Sequence, residues 1–260
     1  MRKKNPEFVI TCDTRICKTL ENLVREEWGG ICIFNSFSSQ ARGVAIFLRR
    51  DSTAEILDKF VDSEGNLLAI LILFQNKRIL LEGIYGPNAD SPLFYSEQAF
   101  KKILDWGPDF SIFAGDFNLV LDPQKDLKNY LHLNNPLARQ ELINQMQNYN
   151  LVDIWRELHP DEKIFTWRKY NENKMSRLDF FLISSSLLPF VQSAEIGTSF
   201  CSDHSSISLE IDFTKFQRGK GFWKFNSSLI KDVNYVDKIK STIKRVVAQY
   251  AIINNDEKFF

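Results

Sequence analysis

Hydrophobic positions along the chain fall into short dense runs separated by Gly, Pro, Asn and Asp. Runs of this length, rich in Ile, Leu, Val and Phe, predict strands at Phe8–Thr11, Val44–Leu48, Leu67–Phe74, Ile79–Tyr85, Ser111–Ala114, Ile164–Trp167 and Phe180–Ile183. Ser206–Ile211 alternates instead, with Ile207, Leu209 and Ile211 on one face and Ser206, Ser208 and Glu210 on the other, as a half-exposed strand does. Three segments carry the helical period. Cys17–Trp28 places Leu20, Leu23, Val24 and Trp28 on one stripe. A second helix is expected from Ser91-Pro92, with Phe100, Ile103 and Leu104 inward. A third is expected from Asn135-Pro136, with Leu142, Ile143 and Met146 inward; in both, a capping residue precedes Pro at the first helical position.

Strands interleaved with helices predict an α/β layered fold. The pattern weakens after about Phe213, and the following stretch gathers Lys215, Arg218, Lys220, Lys224 and Lys231 with few acids between them. This divides the chain into a core of residues 1–213 and a basic linker and helix over 214–260. There is no internal repeat and no low-complexity tract.

Composition adds little. Hydrophobic residues make up 44% and charged residues 25% of 260 positions, enough apolar material for a full core. The formal net charge is zero, which neither points to nor excludes a polyanionic partner. Cys12, Cys17, Cys32 and Cys201 form no C-x-x-C pair, so neither a structural zinc site nor a disulfide framework is expected. The basic N-terminus lacks the apolar stretch of a secretory signal, and the longest apolar run, Leu67–Phe74, is too short to span a membrane.

The candidate chemistry sits at strand ends, where layered folds place their sites. In Gly115-Asp116-Phe117-Asn118, a carboxylate and a carboxamide two residues apart suit phosphodiester chemistry, the first handling a water and the second a phosphate oxygen; a simple strand-end turn is the alternative. Asp203-His204 could pair a metal or water ligand with a phosphate-facing imidazole, or be a polar loop. Asp179, after Arg177, could fix the orientation of a histidine, or the two could form a surface ion pair. Tyr85 and Asn88 bracket a Gly-Pro turn and could bind phosphate, or the turn could stand alone.

In this order and spacing, Tyr85-Gly86-Pro87-Asn88, Gly115-Asp116-Phe117-Asn118, Arg177-Leu178-Asp179 and Ser202-Asp203-His204 resemble the endonuclease/exonuclease/phosphatase superfamily over roughly Pro6 to Ile211. Phe165-Thr166-Trp167-Arg168 and Gly221-Phe222-Trp223-Lys224-Phe225-Asn226 are similar to segments of non-long-terminal-repeat retrotransposon endonucleases. The resemblance implies a four-layered α/β sandwich, two packed and mainly antiparallel sheets with helices outside. It implies Asp116 as base, with Asn118, Tyr85 and Asn88 on the phosphate and His204 stabilising its charge, oriented by Asp179. Asp13 and Asp203 would serve as metal-side carboxylates, and Trp167 and Arg177 as substrate contacts. The implied cofactor is Mg²⁺, or Mn²⁺ in its place, with no small organic cofactor. The implied partner is DNA rather than a membrane, with oligomeric state left open, and the expected location is intracellular and not secreted, with the nucleus as one option.

Two departures stand out. Asp13 replaces a Glu of the family pattern and is one methylene shorter, and misplacement of about 1 Å can cost on the order of 100-fold in rate. By the same resemblance Met1 falls near the start of the family's second strand, so the first strand is expected to be missing. Arg15 beside Asp13 would either repel a cation or hold a phosphate. Three functions therefore stand side by side: a Mg²⁺-dependent DNA nickase leaving a 3′-hydroxyl, an impaired retroelement remnant, and a phosphatase for a small phosphorylated substrate. The Trp223-Lys224-Phe225-Asn226 segment argues against the last.

Overall fold

The computed structural model describes residues 5–199, 202–215 and 233–253. Two compact units divide the chain, Met1–Lys215 and Phe216–Phe260. The first begins with β1 (Phe8–Cys12), α1 (Glu21–Trp28), β2 (Ile31–Asn35), β3 (Val44–Leu48), β4 (Glu55–Val61), β5 (Leu67–Phe74) and β6 (Lys77–Tyr85). It continues with α2 (Lys101–Trp106), β7 (Phe110–Asp116), α3 (Pro123–Asp126), β8 (Leu127–Lys128), α4 (Pro136–Asn148), β9 (Leu151–Asp153) and α5 (Ile154–Leu158). It ends with β10 (Trp167–Lys169), β11 (Lys174–Ser176), β12 (Asp179–Ser184), β13 (Val191–Ile196) and β14 (Ile207–Ile211). In the second unit the described residues form one helix, α6 (Val233–Ile253). The motif at Gly221–Asn226 lies outside the described residues. No described helix is long and apolar enough to cross a membrane.

A six-stranded sheet, in the order β4-β5-β6-β7-β12-β9, forms the centre. All its pairings are antiparallel except β6 with β7, whose crossover carries α2. Both faces of its middle are covered, which is why β5 and β6 read as nearly unbroken apolar runs. β4 closes one edge and keeps Glu55, Asp58 and Lys59 outward, the charged edge that discourages further pairing.

Four layers stack in the first unit. One face of the central sheet packs Leu80, Ile84, Phe113, Phe180 and Leu182 against Phe100 from the chain before α2 and Ala138 and Leu142 of α4. The other face meets a three-stranded antiparallel sheet, β1-β3-β2. α1 lies outside that sheet, with Val24 and Trp28 on Cys32, Ala45 and Phe47. The chain is thus mixed α/β, as expected. The second layer differs from one continuous sheet: β1-β3-β2 and the hairpin β13-β14 stand as separate sheets.

Local expectations needed correction where distant residues intervene. The helix from Cys17 starts as a 3₁₀ turn over Lys18–Leu20, and Leu20 and Leu23 of the expected stripe face solvent. The helix from Ser91-Pro92 widens to a π-turn over Phe94–Gln98 and breaks at Phe100, whose φ is +66°; Leu104 is exposed. Asn135 does not cap α4 with its side chain, which donates instead to the Asn118 carbonyl. The cap comes from Asp90, whose carboxylate accepts from the Leu137 and Ala138 amides. The strand expected at Ile164–Trp167 begins only at Trp167.

Candidate active site

Register alone assembles the centre of the site. β6 and β7 run parallel with Tyr85 opposite Asp116, and β7 and β12 run antiparallel with Asp116 opposite Asp179. Three polar side chains therefore stand abreast on three adjacent strands. The backbone permits this because residue 115 is glycine: its φ is +145°, and a Cβ there would lie 2.0 Å from the Ile84 carbonyl oxygen and 2.8 Å from Cys12 Sγ.

His204 arrives from the loop before β14 and bridges to Trp167. Its Nδ1 is 2.9 Å from Asp179 Oδ2, and its Nε2 faces Asp116 Oδ2 at 3.8 Å. Burial would lower the imidazole's pKa, but the hydrogen bond and charge of Asp179, with Asp116 and Asp203 beyond, raise it to about 9. Asp116 is pushed up to about 7, first by burial and then by Asp179, with His204 and the Asn118 amide partly opposing. A cationic imidazolium between two carboxylates is the resulting charge pattern.

Asn118 closes the turn. Its φ is +52°, its amide donates to Asp116 Oδ1 at 2.9 Å, and its Nδ2 donates to the Gly86 carbonyl at 2.6 Å. Tyr85 is held near Asn118, and its phenol is pushed up by burial and by Asp13 and Asp116. Asn88 is exposed and lines the same cleft. The structure thus brings together Tyr85, Asn88, Asp116, Asn118, Asp179 and His204.

The two expected metal-side carboxylates sit at the rim with partners of their own. Asp13 Oδ2 accepts from Arg15 Nε and Nη2 at 3.0 and 2.7 Å, and its Oδ1 accepts from the Arg42 amide at 2.7 Å. Asp203 Oδ2 accepts from Trp167 Nε1 at 2.9 Å, which fixes the indole against the loop. Among the described residues, the donors gathered closely enough to share an ion are Asp116, Asp179 and His204, within 4.8 Å of one another; Asp13 and Asp203 are not in that group.

Similar proteins give this arrangement a context. No family model matches the chain. In sequence it is 27% identical over 235 residues, 88% of its length, to a transposon TX1 uncharacterized 149 kDa protein of Xenopus laevis. The chain spans only 18% of that relative's length. In structure it is similar to an AP endonuclease from Archaeoglobus fulgidus, with a TM-score of 0.67 at 19% identity over 81% of this chain and 91% of that one. An AP endonuclease from Leishmania major gives 0.65 at 20% identity over 82% and 80%. A 3′ phosphatase from Neisseria bound to product DNA gives 0.61 at 18% identity over 80% and 89%. The chain has the endonuclease/exonuclease/phosphatase fold.

Within that fold Arg177 is a correction to the expected substrate contacts. It is 1% exposed and turned away from the cleft. Its Nε and Nη2 donate to the two Asp126 oxygens at 2.8 and 2.9 Å, and Nη2 also donates to Asp153 Oδ2 at 2.6 Å. The guanidinium lies over the Trp155 and Phe180 rings, and Arg156 joins Asp126 from the other side at 2.7 Å. Buried Arg177 and half-buried Arg156 offset the buried Asp126 and Asp153 beneath the site, so Arg177 is held to the segment leading into Asp179 and is closed off from the cleft.

Sequence reasoning assigned no role to Thr166, yet it ties the site together. Its fully buried hydroxyl accepts from the Leu178 and Asp179 amides at 3.0 and 3.2 Å, and its carbonyl accepts from the Ser205 amide at 2.6 Å. One residue thereby positions the backbones of both Asp179 and His204. Its place in the Phe165-Thr166-Trp167-Arg168 segment was the available signal. Cys12 lies under the site, donates to the Ile84 carbonyl at 3.1 Å, and has its thiol pushed up to about 12 by burial, so it is a packed, un-ionised group. Cys12, Cys17 and Cys32 are free thiols; Cys201 lies outside the described residues.

Proposed function

We propose that this chain hydrolyses phosphodiester bonds in DNA with the help of a divalent cation, nicking one strand to leave a 3′-hydroxyl. The observation that carries this reading is the Asp179–His204–Asp116 array at the floor of an open cleft, flanked by Tyr85 and Asn118. A transposon relative, two structurally similar AP endonucleases and a similar 3′ phosphatase bound to product DNA support DNA as the substrate.

Asp116 accepts the proton of a water as its oxygen bonds to phosphorus. The bond from phosphorus to the 3′-oxygen breaks, the leaving oxygen takes a proton to become hydroxyl, and the phosphate stays on the 5′ side. His204, protonated and held by Asp179 through Nδ1, presents Nε2–H to the charge developing on the phosphate. Asn118 and Tyr85 orient the phosphate, Asn88 and Trp167 line its approach.

The donor set fits a hard cation. Burial first, and then the charges of Asp179 and Asp13, hold Asp116 up near 7, and a cation would offset both. Asp116 and Asp179 would hold it, with Asp13 joining once Arg15 releases it, and when bound it supplies charge neutralisation of the phosphate and a more acidic water.

A second reading, an impaired site, is favoured by one contact: Arg15 occupies the Asp13 carboxylate that a cation needs. The test is cleavage of a duplex oligonucleotide with Mg²⁺, followed by DNA ligase. Nicks that ligase reseals carry 3′-hydroxyl and 5′-phosphate ends and support the first reading. Unsealable ends, or no cleavage, count against it.

A further inference from the structure

The chain leaving β1 turns a tight corner at Asp13, Thr14 and Arg15. Asp13 and Arg15 both adopt left-handed backbone, with φ of +48° and +52°, a region uncommon for residues that carry a side chain. The facing loop pins the corner: the Thr14 amide donates to the Gly43 carbonyl at 3.1 Å, and the Arg15 amide to the Arg42 carbonyl at 2.9 Å. Gly43 is left-handed too, at φ +98°, and a Cβ there would lie 2.6 Å from Thr14 Oγ1. Backbone strain that neighbouring contacts hold in place clusters at functional sites.

The corner returns the Arg15 side chain onto Asp13. Its Nε and Nη2 both reach one oxygen, Asp13 Oδ2, at 3.0 and 2.7 Å, while Oδ1 takes the Arg42 amide at 2.7 Å. One oxygen is thus held by fixed backbone and the other by a movable side chain. The Arg15 side chain is 59% exposed and that of Asp13 29%, and ion pairs so open to water are weak. A guanidinium forked onto a single oxygen also leaves unused the two parallel bonds to two oxygens that a phosphate offers. Arg15 lines the cleft with Tyr85, Asn88 and Asn118 and lies within electrostatic reach of the Tyr85 phenol. It therefore faces both the Asp13 carboxylate, which it holds, and a group assigned to the phosphate.

We propose that Arg15 is an exchangeable counter-ion that makes cation entry depend on DNA. In the free protein Arg15 neutralises Asp13. A DNA phosphate entering the cleft draws the guanidinium away. Asp13, still aimed by the Arg42 amide on Oδ1, then turns a free Oδ2 towards a divalent cation. Arg15 offsets a negative charge at each stage, first the carboxylate and then the phosphate. The consequence is linkage: the factor by which DNA raises cation affinity through this exchange is the factor by which a cation raises DNA affinity. Couplings of this kind run from about 5-fold to 150-fold. The proposal rests on the nuclease reading of the cleft and adds what controls cation entry to it.

The test measures binding without turnover. Mn²⁺ is titrated calorimetrically into the full chain and into Arg15→Gln, which removes a charge at an exposed position. Each protein is taken alone and saturated with a short duplex oligonucleotide in the cold, and a titration of the DNA alone is subtracted. Free Arg15→Gln should bind Mn²⁺ about ten-fold more tightly than the free parent. DNA should raise the affinity of both, since a phosphate oxygen joins the site, but by about five-fold or more further in the parent. Equal gains overturn the proposal, as does a free variant that binds Mn²⁺ no better than the free parent. A parent that binds no Mn²⁺ even with DNA, where the variant does, makes Arg15 a permanent block and overturns it too. The nuclease reading fails separately. Coupling through Arg15 with no nicking of DNA leaves the exchange standing and sinks cleavage, whereas nicking with equal gains sinks the exchange alone. No Mn²⁺ binding by either protein overturns both.

Discussion

His204 Nδ1 lies 2.9 Å from Asp179 Oδ2, and that contact leaves Nε2 directed at Asp116. Replacing Asp179 with Asn keeps the shape but removes the charge that holds the imidazolium. Asp179→Asn should lower the cleavage rate about 100-fold or more. NMR titration should show the His204 pKa falling from about 9 towards its ordinary value. The sign for stability follows. A histidine raised to about 9 contributes stability fully present below its unfolded value of about 6.5 and lost as pH rises through 9. An unchanged histidine titration in the variant would break the link between the two residues.

Thr166 gives a sharper test of positioning. Thr166→Val keeps the volume but leaves the Leu178 and Asp179 amides without their acceptor. Unfolding free energy should drop by about 1–3 kcal/mol. Thr166→Ser, which retains the hydroxyl, should recover most of the cleavage rate. If Ser rescues no better than Val, the hydroxyl is not what places Asp179.

Arg177 separates structure from substrate contact. Arg177→Met leaves Asp126 and Asp153 buried with less compensation, and chemical denaturation should show a loss of about 3–5 kcal/mol. DNA affinity per folded molecule should stay unchanged. A stable variant with weakened DNA binding would return Arg177 to the substrate contacts.

Glu82 stands in the apolar face of β6, 1% exposed, with neither carboxyl oxygen in a well-formed hydrogen bond. Burial pushes it up to about 8, only partly offset by the Phe100 amide and Lys102. The folded state keeps this proton while the unfolded chain releases it, so stability falls as pH rises from about 4.5 to 8, by at most about 1.4 kcal/mol per pH unit. Glu82→Gln should flatten that slope in thermal melts taken across the same range. A parent protein whose Tm holds steady between pH 5 and 8 would show that Glu82 is not the group described (about 5 being the start of the window its pKa sets).

Much of the site was legible in the sequence because it depends on short-range order. Gly115-Asp116-Phe117-Asn118 carries its own turn geometry, while Tyr85 and Asp116 each end, and Asp179 begins, a strand whose apolar run marks it. The roles of Thr166, Asp126 and Asp90 were hidden because each acts on a partner brought close only by the fold: Thr166 on the Asp179 amide, Asp126 on Arg177, Asp90 on the start of α4. Arg177 was misjudged for the same reason, since its two carboxylates come from α3 and β9. The split of the second sheet turns on β14 and β1 failing to meet, which no local pattern encodes.

The central claim is tested most directly by relaxation of supercoiled plasmid in Mg²⁺, with the full chain compared against Asp116→Ala and His204→Ala. The parent should give open-circular DNA, and each variant should lose about 100-fold or more in rate. A parent no faster than its variants, at Mg²⁺ concentrations high enough to compete with Arg15 for Asp13, would contradict it.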